Sequence, residues 1–197
     1  MTAQIKILIE GYARKTGDEE FASSTTVLIK EKGVNIIVDP GMDRKKLQDA
    51  LLKERMEPNN INYVILTHYH LDHTLLAGIF ENAQIIDFEG IYSWDGKIKN
   101  HGGMVPGTDV KIIKTPGHDP FHCVVLTKTN NWGSVVIAAD VFWWQDDEEQ
   151  KTDEESLMTH EDPYMKNKEE LTESRKKILG IADYIIPGHG KMFKIKK

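Results

Sequence analysis

Cysteine is almost absent. Cys123 is the only one in 197 residues, which excludes an intrachain disulfide and any all-thiolate metal site within the chain. It also suits a reducing compartment. Long apolar runs are missing too. The longest are Val34–Val38 (with Asn35 inside), Tyr63–Leu66 and Val135–Ala139, far short of the ~20 residues needed to span a bilayer. The opening MTAQIKILIEG puts Lys6 and Glu10 where a signal peptide needs an unbroken apolar stretch. No membrane association, no secretion and a cytoplasmic location are therefore expected. A surplus of positive charge is also lacking. Lys and Arg total 25 against 31 Asp and Glu, a formal net charge of −6, which is the wrong sign for a surface built for non-specific nucleic-acid binding. A local basic groove stays open. Gly 15 and Pro 7, with 40% hydrophobic and 28% charged residues, exclude collagen-like, linker-like and disordered profiles. The length fits one domain, 1–197, and a domain of this size removes roughly 70% of its unfolded surface from water without staples.

Strand-like segments dominate what is present: 6–10, 25–30, 35–39, 63–67, 84–88, 110–114, 123–128, 134–140 and 183–187. Most are rich in β-branched residues and bounded by Gly, Pro or Asn. Three helices are predicted between them. Asp43 caps one that runs to about Arg55, with Leu47 and Leu51 on one face. A second covers 73–81. The third opens at Asp162-Pro163, an N-cap followed by Pro, and carries Leu171, Ile178 and Leu179. Helices interleaved with strands predict an α/β or α+β class. Residues 89–108 read as a long loop. Residues 141–162 form an insert whose 145–155 stretch holds seven acidic residues, and it reads as a solvated acidic segment.

The densest chemistry is THYHLDH, which holds His68, His70, Asp72 and His73. Strand 63–67 runs directly into it and a helix pattern leaves it. Side chains two apart on extended backbone point the same way, so His68 and His70 can chelate one ion, while Asp72 and His73 reach toward a second. Neutral imidazole and carboxylate suit Zn²⁺ or a similar first-row divalent ion, Fe or Mn included. Two ions need further ligands. His118 in TPGH, Asp140 at the end of 134–140 and His189 in PGHG each sit where a strand ends, the place where open sheets collect ligands.

This order (THYHLDH, TPGH, a strand ending in Asp, then PGHG) resembles the metallo-β-lactamase superfamily along nearly the whole chain, and VDPG at Val38–Gly41 resembles that family's early turn. The resemblance implies a four-layer αββα sandwich with two divalent metal ions at one edge. It assigns His68, His70 and His118 to the first ion, Asp72, His73 and His189 to the second, and Asp140 to both. It implies a metal-dependent hydrolase using a hydroxide held between the ions, with Asp72 as the catalytic group that accepts a hydrogen bond from it and shuttles a proton. The run from AADVFWWQDDEE through EDP to the C-terminus is similar to one animal subgroup of the superfamily, whose members are implicated in endonucleolytic RNA 3′-end processing. Lactonases of the superfamily carry a Tyr soon after the bridging Asp, whereas Val141–Trp144 follow here. Three readings stay open: a phosphodiesterase, including an endoribonuclease; a hydrolase of a small ester, thioester or lactone; and a non-catalytic metal-binding protein. Small molecule and RNA both remain as substrates.

Other residues are secondary candidates. Asp39 either orients the His-rich loop or serves as the turn-forming residue before Pro-Gly. His122 lies near the pocket or in a loop, and His101 belongs to a flap or to no site at all. His160 is expected in solvent. Phe142, Trp143 and Trp144 either wall a substrate cleft or anchor the insert by burial. The Trp pair also offers an interface for a homo-oligomer. Cys123 reads as core.

Overall fold

The computed structural model describes residues 2–195. The larger sheet has seven strands in the order β1 (Gln4–Ile9), β4 (Thr26–Glu31), β5 (Val34–Val38), β6 (Tyr63–Ile65), β7 (Gln84–Ile86), β8 (Ile91–Tyr92) and β9 (Ile98–Lys99). Its β5–β6 and β6–β7 pairs are parallel. The second sheet runs β10 (Lys111–Lys114), β11 (Cys123–Thr129), β12 (Gly133–Ala139), β13 (Tyr184–Pro187) and β14 (Phe193–Lys194), with β12–β13 parallel. A separate hairpin pairs β2 (Tyr12–Thr16) with β3 (Glu19–Ser23) around Gly17 and Asp18.

Strand alternation decides the layers, because successive side chains leave a strand on opposite faces. Val27, Ile29, Ile36 and Val38 point inward and meet Cys123, Val125, Val135 and Ile137 of the other sheet in one buried cluster. Their neighbours Leu28 and Ile37 point outward and pack under α1 (Arg44–Lys53) through Leu47 and Leu51, with Phe80 beside them. On the far side Val124, Val136 and Ile185 pack against Leu171 and Ile178 of α4 (Lys168–Ile181) and Leu157 of α3 (Glu154–Thr159). The result is the αββα sandwich that the resemblance implies. Among the described residues, no helix is long and apolar enough to cross a membrane.

Several local expectations are corrected. The helix predicted over 73–81 is only α2 (Leu71–Thr74) followed by a 3-10 turn at Ala77–Ile79. Its backbone is diverted: Leu76 N donates to Gly41 O, and Gly41 N donates to His73 O. The helix predicted to open at Asp162 begins at Lys168, where Asn167 accepts from Glu169 N and Glu170 N. Residues 89–108 hold β8 and β9 rather than loop alone. The hairpin β2–β3 had no sequence signal, since most of it is exposed and lacks a core-facing apolar row.

The cap at Asp43 forms as predicted, its carboxylate accepting from Lys46 N at 3.1 Å. That N–H holds the Asp43 carboxyl below its usual range. Asp43→Ala should cost about 1 kcal/mol of stability in urea at neutral pH. The deficit should shrink as pH falls through the carboxylate range, because a depressed pKa contributes only while the group is ionised. An unchanged transition midpoint at pH 7 would reject the cap.

Candidate metal centre

Four chain segments deliver the polar cluster, each leaving the end of a strand. β6 runs into Thr67 and then His68, His70, Asp72 and His73. β10 is followed by His118, β12 by Asp140 and β13 by His189. Because β11 lies antiparallel to both β10 and β12, and β13 parallel to β12, the last three chain ends leave the same edge of the sheet. Close approach needs glycine here. A Cβ on Gly188 would overlap the Asp140 carboxylate. Ala139 sits at φ +45°, a left-handed conformation that costs a non-glycine residue of order 1 kcal/mol and concentrates at functional sites.

The cluster is organised by one carboxylate. Asp140 Oδ2 lies 3.6 Å from His68 Nε2 and 3.4 Å from His118 Nε2. Asp140 Oδ1 lies 3.2 Å from His73 Nε2 and 3.7 Å from His189 Nε2. His70 Nδ1 stands 3.2 Å from His118 Nε2. Asp72 Oδ2 stands 3.2 Å from His189 Nε2. Two donor sets result, His68, His70, His118 and Asp140 in one and Asp72, His73 and His189 in the other, with ligand-type atoms within 4.8 Å of one another in each.

These residues fit a pair of divalent cations. His68 Nε2, His73 Nε2 and Asp140 Oδ1 are buried without a hydrogen-bond partner. Each orphan costs about 1–3 kcal/mol unless something else satisfies it, and a cation does so for a lone pair. The opposite ring edges are anchored. Thr67 Oγ1 meets His68 Nδ1 at 3.1 Å, Asp39 Oδ2 meets His73 Nδ1 at 2.9 Å, Asp162 Oδ2 meets His118 Nδ1 at 2.7 Å, and the Tyr12 carbonyl meets His189 Nδ1 at 3.0 Å. Anchors of this kind fix the tautomer and leave Nε2 free to ligate.

Protonation equilibria follow the same crowding. Burial, reinforced by the charge of His73, drives His68 well below the ordinary imidazole range. Burial and His118 lower His70. Burial opposes charge on His73, but Asp140 and Asp39 outweigh it and raise His73 well above that range. For Asp140, burial is overcome by His73 and His189, and the carboxyl is held well below its usual value. Asp72 is lowered because its hydrogen bond to His189 and the charge of His73 outweigh burial.

The family model of the metallo-beta-lactamase superfamily matches residues 20–105. Metallo-beta-lactamase domain-containing protein 1 of Xenopus laevis is 28% identical over 202 residues, covering 98% of this chain and 82% of that protein. The Mus musculus protein of that name is 33% identical over 170 residues, covering 81% of this chain and 61% of its own. Residues 20–105 thus carry a metallo-β-lactamase superfamily match, and the longer alignments are to proteins named for that domain. The chain's fold also matches a Thermotoga maritima structure assigned to the metallo-β-lactamases, with a TM-score of 0.74 and 21% identity over 98% of this chain and all of that one. AidC, a dizinc quorum-quenching lactonase solved with a product, gives a TM-score of 0.66 and 17% identity over 91% of this chain and 77% of its own.

The structure brings all seven residues of the superfamily's assigned ligand set to one place. Asp39 is both things expected of it. It turns the chain at φ +47°, and its carboxylate binds His73, Thr67 N and Thr67 Oγ1. His122 is fully buried, stacked 5.0 Å from His68 and bonded through Nδ1 to Thr115, so it supports the cluster from behind. His101 accepts from Gly103 N and stands outside the cleft. His160 is not in solvent: its Nε2 donates to the Trp143 carbonyl at 2.7 Å.

The aromatic run splits. Trp143 lines the cleft over the cluster, but Phe142 does not. Phe142 is fully buried in the outer core, with the Arg175 guanidinium 5.8 Å from its ring centre. Trp143 and Trp144 are 5% and 3% exposed, so the pair offers no interface. Two residues escaped the sequence reading. Asp162 looked like a helix cap, yet it anchors His118 and accepts from Tyr164 N. Tyr164 lines the cleft with its ring 5.7 Å from Trp143. Nothing in its local sequence could have revealed that placement.

Asp162→Asn should weaken zinc binding about 10–100-fold in calorimetric titration of the stripped protein, with the circular dichroism unchanged; wild-type affinity would deny the anchor its role. Gly188→Ala should also lose metal, through direct overlap with Asp140.

Proposed function

We propose that the protein is a binuclear zinc hydrolase acting on a small ester, thioester or lactone. The single observation that carries this is Asp140, which spans two ligand sets, each holding a buried and unpaired imidazole nitrogen (His68 Nε2 in one, His73 Nε2 in the other), at the floor of a cleft of about 650 Å³. Fe or Mn suits the same donors. Bound there, the ions supply Lewis acidity and an activated water near neutral pH. The chain's own residues supply the rest. Asp140 holds both donor sets in register. Asp72 reaches the cleft while bonded to His189, and being ionised at neutral pH it accepts the attacking water's hydrogen bond and passes the proton to the leaving group. Phe21, Trp143 and Tyr164 supply an apolar wall for the substrate body.

Cleft size and the formal charge of −6 favour a small molecule over a polyanion. The similarity to AidC, a lactonase, points the same way. A phosphodiester is the second reading, favoured by the Arg14 guanidinium at the cleft mouth. A non-catalytic metal protein is the least supported, since a structural ion has no need of an open cleft. A cytoplasmic location agrees with the lone buried Cys123.

Zinc-loaded protein should contain two ions per chain by mass spectrometry. It should hydrolyse p-nitrophenyl esters, S-lactoylglutathione or an acyl lactone faster than bis(p-nitrophenyl) phosphate or single-stranded RNA. His70→Ala should lose both metal and turnover. Full activity in a metal-free His70→Ala protein would sink the reading, and a preference for RNA would transfer it to the phosphodiester class.

A further inference from the structure

The hairpin β2–β3 hangs over the cleft and is fastened at its base to the metal centre. His189 Nδ1 donates to the Tyr12 carbonyl. One residue further, Ala13 N donates to Asp146 Oδ1 at 3.1 Å and Asp146 N donates to the Ala13 carbonyl at 2.8 Å. Arg14 follows directly and lines the cleft. Its guanidinium lies over two rings, 5.5 Å from the Tyr12 centroid and 5.3 Å from that of Phe21. Such stacking orients the planar fork without using its N–H donors. The Asp146 carboxylate approaches only to 3.8 Å, with half of the Arg14 side chain still exposed. The neighbouring Lys15 differs, because Glu20 sits 3.4 Å from its ammonium. The cleft therefore presents one oriented cation with unspent donors, and Phe21, Met42, Trp143 and Tyr164 line the same cleft, whose lining also includes Asp72 and Asp140.

We propose that Arg14 determines specificity by binding a carboxylate of the substrate, remote from the scissile bond and joined to it by an apolar body. A single available cation matches a monoanion, whereas a phosphate dianion calls for a second. A guanidinium fork takes a carboxylate in a two-pronged, charge-assisted pair. The inference rests on the hydrolase reading of the site, whose substrate class it narrows to carboxylate-bearing esters or thioesters.

The test separates binding from turnover. Glutaric acid monoanilide and valeranilide share one body and differ only in a terminal carboxylate or methyl, and both amides stand in for the ester. In calorimetry with zinc-loaded protein, the anion should bind about tenfold tighter than its neutral twin. Arg14→Gln should erase that difference, and Arg14→Lys should keep part of it. In parallel, mono(4-nitrophenyl) glutarate should exceed 4-nitrophenyl valerate in kcat/KM, and Arg14→Gln should remove the advantage through KM. Failure of the anion to bind, equal binding of the two anilides, or a preference that survives in Arg14→Gln overturns the proposal. If the anilide preference holds while neither ester is cleaved, the hydrolase reading fails and the carboxylate site stands.

Discussion

The Asp140 carboxylate, placed among His68, His73, His118 and His189, is the constraint on which the rest of the structure depends. A buried carboxylate is costly unless paired, and here each oxygen faces two imidazoles from different segments. Those imidazoles are oriented in turn by Thr67, Asp39, Asp162 and the Tyr12 carbonyl. The polar network therefore reaches from the hairpin at the N-terminal end to the segment before α4. It leaves a few ligand atoms unpaired at its centre. Such a network is poor at stabilising a fold by itself and well suited to receiving cations.

The sandwich makes that convergence possible. Both sheets bury one face against each other and the other under helices, so their strand edges are rigid. Loops leaving a rigid edge can carry side chains to fixed positions. Backbone strain appears at the two exits that matter most, Asp39 and Ala139, both left-handed. Glycine at position 188 gives the carboxylate room. The apolar layers supply the free energy that holds these unfavourable conformations in place.

The cleft over the cluster is amphipathic. The hairpin contributes Arg14 and Phe21 to its lining, and Met42, Leu71, Trp143 and Tyr164 add apolar surface. Asp162 links the two functions of the region, since one carboxylate oxygen orients His118 and the other fixes the backbone of Tyr164. A change in that short segment is felt both in the geometry of the donor cluster and in the shape of the cleft wall. The same tie on the opposite side runs from His189 to Tyr12 and so to the hairpin. The orientation of the donor cluster and the walls of the cleft are thus mechanically continuous.

The amino-acid sequence by itself determined the strands and the donors. The runs of β4, β5, β11 and β12 are apolar at successive positions, as strands covered on both faces are, and the spacing of His68, His70, Asp72 and His73 puts them on one short turn; both are local properties. It misread several features that depended on distant partners. Asp162 looked like a helix cap because its own neighbours allow one, and only the arrival of His118, 44 residues away, takes its carboxylate. Phe142 and Trp143 are adjacent and chemically alike, yet strand exit geometry sends one to the core and the other to the cleft. The hairpin with Arg14 was invisible because an exposed strand pair carries no buried pattern to read. Which donors meet, and what stands over them, was decided by tertiary structure alone, since contacts across more than a hundred residues leave no periodic trace in the chain.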